Sequence, residues 1–171
     1  MKDISLKVPF WKSREQIPAR PSLKVACLSG LGAMLGILGL SFTSKIMEMP
    51  LLMAPFGASC FLIFALPASP LAQPRNVIFG HFFSTMIGLL MFNIYGDNQI
   101  AMGIAVGLAV FIMLITRTGH PPAGADPIVI FLVQPGWHFL ILPTLIGAIG
   151  LVLIALIFNN LRPNIRYPTY W

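Results

Sequence analysis

Pro55-Phe56-Gly57-Ala58-Ser59-Cys60, running on into Phe61-Leu62-Ile63-Phe64, returns later in the chain as Pro122-Ala123-Gly124-Ala125-Asp126-Pro127, running on into Ile128-Val129-Ile130-Phe131. In each copy a proline and a glycine open a short apolar segment. Prolines then close it, Pro67 and Pro70 in the first copy and Pro135 in the second. Interrupted hydrophobic segments at matching places in two halves of a membrane protein mark a transporter's binding region. Helix packing is the competing explanation, because Pro and Gly are frequent in membrane helices. The match reaches as far as the aligned Phe64 and Phe131, which favours duplication.

Composition sets the class. The chain has 171 residues, of which 57% are hydrophobic and 9% charged, and its mean hydropathy is +0.84. That is the balance of an all-α polytopic membrane protein without a separate soluble module. Apolar runs are read as membrane segments over residues 23–46, 50–66, 77–95, 99–116, 122–134 and 138–159. They form two three-segment repeats, 23–98 and 99–161, each with an interrupted short middle helix, followed by a tail, 162–171.

Lys2, Lys7, Lys12, Arg14, Arg20 and Lys24 crowd the N-terminus, and such residues near a first span favour the cytoplasmic side. Residues 1–22, with Pro9, Pro18 and Pro21, read as a basic interfacial arm on the bilayer, its Phe10 and Trp11 suited to the headgroup layer. They resemble neither a cleavable signal peptide nor a transit peptide. The formal charge of +6 expresses this topology, and no basic stripe with interleaved aromatics points to nucleic acid.

Two arrangements fit. If both interrupted segments cross, the repeats are antiparallel and Arg75, Arg117, Arg162 and Arg166 fall on the side of the basic arm, with only Lys45, beside Glu48, misplaced. If the interrupted segments re-enter, four full spans remain and the repeats are parallel. The charge rule favours crossing; the shortness of the second segment favours re-entry.

Free amides at a helix start, together with the macrodipole, attract an anion. Pro55, Phe56, Gly57, Ala58 and Ser59 in one repeat, and Pro122, Ala123, Gly124, Ala125 and Asp126 in the other, are therefore expected to bracket a small anion near the midplane. Asp126 has two readings: a cap on its own helix, or a proton- or cation-coupling group. His81, on a face with Ser84, Thr85 and Gly88, is read first as a packing residue and second as a titratable cavity residue. His120, ahead of Pro121 and Pro122, either orients the loop or meets the anion. Arg75, Asn76 and Arg117 are pathway or vestibule candidates, and His138 beside Trp137 is read as interfacial.

Gly32 and Gly36, Gly103 and Gly107, and Gly80, Ser84 and Gly88 permit close helix contact, within the chain or with a second copy. No metal-ligand spacing, H-E-x-x-H, G-x-S-x-G or P-loop occurs, so neither an enzyme nor a cofactor is expected. Cys27 and Cys60 are read as reduced packing residues.

Ala54-Pro55-Phe56-Gly57-Ala58-Ser59, Ser69-Pro70-Leu71-Ala72-Gln73-Pro74-Arg75-Asn76 with Gly80-His81, and Gly119-His120-Pro121-Pro122-Ala123-Gly124-Ala125 resemble the HPP family of integral membrane proteins, named for its His-Pro-Pro. The resemblance runs from about residue 20 to 160. It implies four membrane spans and nitrite transport, as in cyanobacterial and chloroplast-envelope members, and the short arm here suggests a bacterial-type plasma membrane. The expected function is transport of a small anion, nitrite first. The alternatives are a non-transporting scaffold, or a proton- or cation-coupled carrier using Asp126.

Overall fold

A computed structural model describes residues 17–171, so most of the basic arm, including Lys2, Lys7, Phe10, Trp11, Lys12 and Arg14, lies outside the described residues. Six helices follow in order: α1 (Leu23–Met47), α2 (Pro55–Ala65), α3 (Pro74–Tyr95), α4 (Gln99–Ile115), α5 (Asp126–Val133) and α6 (Ile146–Asn160). No strand occurs among the described residues. Each start has a local cause. Ser22 Oγ accepts from the Val25 amide and Asn98 Oδ1 from the amides of Ile100 and Ala101, while Pro55 and Pro74 occupy first-turn positions where a missing N–H costs nothing.

The helices pack as two copies of one arrangement. α1 lies on α2 as α4 lies on α5; α1 lies on α6 as α4 lies on α3; α2 meets α6 as α5 meets α3; and α3 meets α6. Exchanging the repeats maps this pattern onto itself, as an internal duplication requires.

Contacts along the helices fix their directions. A Cβ on Gly32 would press on Phe158, and one on Gly150 would press on Leu40, so α1 and α6 run antiparallel. The Arg75 guanidinium, at the start of α3, donates to the Thr116 carbonyl at the end of α4, at 3.0 Å. Arg162, just past α6, donates to the Phe64 carbonyl at the end of α2, at 2.8 Å. The six segments therefore alternate in direction, and both interrupted segments run from one end of the bundle to the other instead of turning back. This decides for antiparallel repeats. Arg75, Arg117, Arg162 and Arg166 lie at the end where α1 begins, and Lys45 and Glu48 lie at the other.

Three stretches are long and apolar enough to cross a membrane: Leu23–Met47, Pro74–Tyr95 and Trp137–Asn160, of 25, 22 and 24 residues. Two of the four full spans carry features the sequence did not mark. α4 has only 17 residues, and the stretch Trp137–Asn160 is broken at Leu142, whose φ of −127° and ψ of 118° are non-helical. The cause is Pro143, which pushes the residue before it out of the helical region. The tail packs back onto the bundle. Tyr167 is buried and its hydroxyl donates to the Ala72 carbonyl at 2.9 Å, the Thr169 amide donates to Gln73 Oε1 at 2.8 Å, and Tyr170 donates to Asn76 Oδ1 at 3.1 Å.

The glycine pairs divide. Gly32 and Gly36 face inward, where an added Cβ would come within 2.6 Å and 3.0 Å of the Phe64 ring. Gly103 and Gly107 face open space, because the buried edge of α4 is Ala101, Ala105, Ala109 and Met113. At Gly147 a Cβ would lie 2.5 Å from the Leu51 carbonyl oxygen, a backbone atom that cannot turn aside. Gly147→Ala is expected to destabilise the folded protein by about 1–3 kcal/mol, whereas Gly103→Ala gains up to about 1 kcal/mol of helix propensity. Thermal melting of the two variants in detergent checks both signs.

Candidate functional site

α3 is the element against which the second interrupted segment is built. Gly80, Ser84 and Gly88 form one of its edges, and all three press on that segment. A Cβ on Gly80 would lie 2.8 Å from the His120 Cβ and 3.0 Å from the Thr118 carbonyl oxygen; one on Gly88 would lie 2.9 Å from the Pro127 Cα. Between them the Ser84 hydroxyl donates to the Ala123 carbonyl at 2.6 Å. The small-residue stripe of α3 is thus occupied within the chain.

The same helix carries the polar centre. His81 is fully buried; its Nε2 lies 2.8 Å from Ser59 Oγ, and its Nδ1 lies 2.8 Å from Asp126 Oδ2. Ser59 Oγ is also 2.8 Å from His120 Nε2, and His120 Nδ1 lies 2.7 Å from the Leu71 carbonyl oxygen. Thr85, one turn after His81, donates to Asp126 Oδ2 at 3.2 Å and lies 3.3 Å from the hydroxyl of Thr144. The paired positions of the two repeats, Ser59 and Asp126, are therefore joined through one histidine. Phe56 sets its ring edge-on to His81, with centroids 5.1 Å apart. Asp126 Oδ1 is buried without a hydrogen-bond partner. Such an atom is costly to leave unmatched.

The starts of the two interrupted segments come together as expected, but through side chains. The amides of Phe56 and Gly57 already donate to the carbonyls of Met53 and Ala54, at 3.0 and 3.1 Å, and the Ala123 amide to that of His120 at 2.9 Å. The second segment begins as a 3₁₀ turn, Pro121–Ala125, before α5 proper. A Cβ on either Gly57 or Gly124 would meet nothing within 4 Å, and Gly57 and Ala58 are exposed. Opposed free amides bracketing an anion across Gly57 and Gly124 are thus not what the backbone offers, because tight local turns consume them. The two segments do border a shared outward cleft of about 680 Å³, lined by Pro55, Ala58, Phe61, Pro121, Pro122 and Ala125 among others. Asp126 caps no amide; its carboxyl group is turned to His81 and Thr85. His81 is a buried histidine with both ring nitrogens hydrogen-bonded.

Arg75, Asn76 and Arg117 lie at one end of the bundle. Arg75 is committed to the Thr116 carbonyl, Asn76 Nδ2 donates to the Gly119 carbonyl at 2.9 Å, and Arg117 is exposed with a φ of 56°. Arg75 and Asn76 staple the loop that delivers His120. Thr85 lies with His81 as the spacing of four in the sequence placed it, whereas Thr144 went unread because nothing local marks it. Among the described residues no group of His, Cys, Asp and Glu is arranged to hold a metal ion.

Residues 18–168 match the family described as HPP, transmembrane region. The chain belongs to the HPP transmembrane family. Two transmembrane proteins of Dictyostelium discoideum are among its relatives. One is 33% identical over an alignment that covers 98% of this chain, and the other is 34% identical over one that covers 92%. The chain spans 60% of the length of each. No solved structure matches it. Family membership covers all six helices and the whole buried cluster.

The cluster should behave as one unit in this HPP protein. Ser59→Ala strips a partner from two buried imidazoles and is expected to cost about 2–4 kcal/mol. Combined with His120→Phe, the loss should fall short of the sum of the single losses by about 0.5–3 kcal/mol, measured as a double-mutant cycle of thermal or denaturant stability.

Proposed function

We propose that this HPP protein transports a small monovalent anion, with nitrite the first substrate to test. The observation that carries the reading is the meeting of two crossing, interrupted segments, one from each inverted repeat, at the buried Ser59–His81–Asp126–His120 cluster. Inverted repeats that place broken helices around a central polar site are the architecture of alternating-access carriers. Ionisable residues held inside a membrane bundle are functional by default. Here two imidazoles and one carboxyl group give a site whose charge can be neutral or positive, which suits an anion. Nitrite comes from the resemblance to the nitrite-linked members of the family. On the charge rule, the arginine-bearing end of the bundle faces the cytoplasm of a cell membrane.

One observation favours a second reading. Ser59 Oγ to His81 Nε2 and His81 Nδ1 to Asp126 have the connectivity of a hydrolytic triad. A nucleophile must leave room for an electrophile about 3 Å away, and Ser59 is wholly buried with His120 closing its free side. We therefore read the hydroxyl as a link between imidazoles. A serine-directed fluorophosphonate should leave the folded protein unlabelled, and labelling at Ser59 would move the reading to hydrolysis.

The transport reading is tested by nitrite flux into proteoliposomes. The parent should carry flux well above protein-free vesicles, and His81→Phe, inserted and folded, should lose at least about tenfold, equivalent to about 1.4 kcal/mol of barrier. Equal flux in protein-free vesicles and parent would sink it.

A further inference from the structure

We infer that His120 is the proton acceptor of the buried cluster, that the Ser59 hydroxyl turns as His120 loads, and that the protein takes up one proton with each monovalent anion it binds. The identity of the anion rests on the transport reading above; the proton site rests on hydrogen-bond geometry alone.

The Leu71 carbonyl can only accept, so His120 Nδ1, 2.7 Å away, carries a hydrogen. A neutral His120 then has a bare lone pair at Nε2, and the Ser59 hydroxyl donates to it. Ser59 Oγ must in turn accept from His81, which places a hydrogen on His81 Nε2. The remaining bond, His81 Nδ1 to Asp126 Oδ2, holds one more proton. Four bonds hold four protons. The net charge is zero whether the last proton sits on the imidazole or on the carboxyl group.

A fifth proton fits without breaking any of these four pairings. The Pro55 carbonyl oxygen lies 3.4 Å from Ser59 Oγ and offers the hydroxyl a second acceptor. When a proton binds His120 Nε2, that nitrogen donates to Ser59, the hydroxyl hydrogen swings to Pro55, and Oγ accepts from both imidazoles. The only covalent change is one new N–H bond, and the charge rises from zero to +1. Removing a proton instead leaves two acceptors facing each other and a net buried negative charge, which is costly. The cluster is built to gain a proton.

His120 is also the member placed to meet an anion. It borders a cavity of about 310 Å³ whose wall includes Leu71, Met113, Gly119, Pro121 and Gly124. A positive charge against such an apolar wall calls for a counter-charge, and a monovalent anion returns the site to neutrality. Other groups near the cluster are few. His81 and Thr85 come from α3, Asp126 from α5, Ser59 and the buried Cys60 from α2, and Thr144 from the entrance to α6. α4 and α6 contain no charged residue, and α1 has only Lys24 and Lys45, near its two ends. Arg75, at the first turn of α3, is tied to Thr116.

The test uses the full-length protein in detergent. Calorimetric titration with sodium nitrite, in buffers of different ionisation enthalpy, counts protons taken up per anion, and ¹⁵N spectra of histidine-labelled protein report each ring. One proton per nitrite is expected. Affinity should rise about tenfold for each unit of acidification while the free cluster is neutral, and His120 should pass from its Nδ1–H form to imidazolium. Asp126→Asn should keep the one-proton stoichiometry, whatever its affinity, and His120→Gln should lose it. A free His120 in the Nε2–H form overturns the proton site in the parent itself, without recourse to a variant. Nitrite binding with no proton, or a proton count that vanishes in Asp126→Asn and persists in His120→Gln, overturns it as well. If nitrite gives no heat at all, the anion reading fails, and acidification alone decides the proton site: His120 loading before His81 upholds it, and the reverse order overturns it.

Discussion

Backbone that is not helical has to be satisfied inside the bundle, because a bilayer supplies no water to do it. Two helices that begin part-way through the protein impose this demand twice, and most of the polar side chains in the interior are its answer. Ser84 holds the Ala123 carbonyl, Asn76 holds that of Gly119, and His120 holds that of Leu71. At the end of α2, Asn159 and Arg162 donate to the carbonyls of Ile63 and Phe64 at 3.0 and 2.8 Å, where a cation also suits the negative end of the helix dipole. Among the described residues the buried charged side chains are Arg162, at broken backbone, and Asp126, at the Ser59–His81–Asp126 centre.

α3 shows how one helix can serve both needs. Its edge of Gly80, Ser84 and Gly88 lets the second interrupted segment approach until only hydrogen atoms fit. Because that segment comes so close, His81, one residue after Gly80, reaches Asp126 on one side and Ser59 on the other. A larger residue in the stripe would push the segment away and open the relay with it. Close packing and polar chemistry are thus one constraint, seen from adjacent residues of a single turn.

The outline of the fold was legible because its signals are local. Apolar length marked the segments, proline and glycine marked the interruptions, and the repeated phrase marked the duplication. Arginine placement correctly chose alternating directions before any contact was known. What sequence could not supply was distance across the bundle. His81 looked like packing because its partners are 22 and 45 residues away. The amides near Gly57 and Gly124 looked free because nothing in a sequence shows whether a helix start tightens into a 3₁₀ turn. The packing of the tail was not legible, because a tyrosine pinned to Ala72 and an amide pinned to Gln73 are contacts between distant stretches.

The pairing of Ser59 with Asp126 explains why a duplicated protein departs from symmetry here. Two carboxyl groups at these positions would face one histidine with like charges in a medium of low dielectric, and one would have to neutralise. Two hydroxyls would leave His81 without an acid partner, so the chain of bonds could pass no proton beyond the imidazole. With one of each, Asp126 and His81 share a proton, His81 and Ser59 pass their bonds on toward His120, and the serine, able to accept twice and donate once, stands where the sense of those bonds can change. The pseudo-symmetry brings the two helix starts together, and the difference between Ser59 and Asp126 makes the meeting point asymmetric.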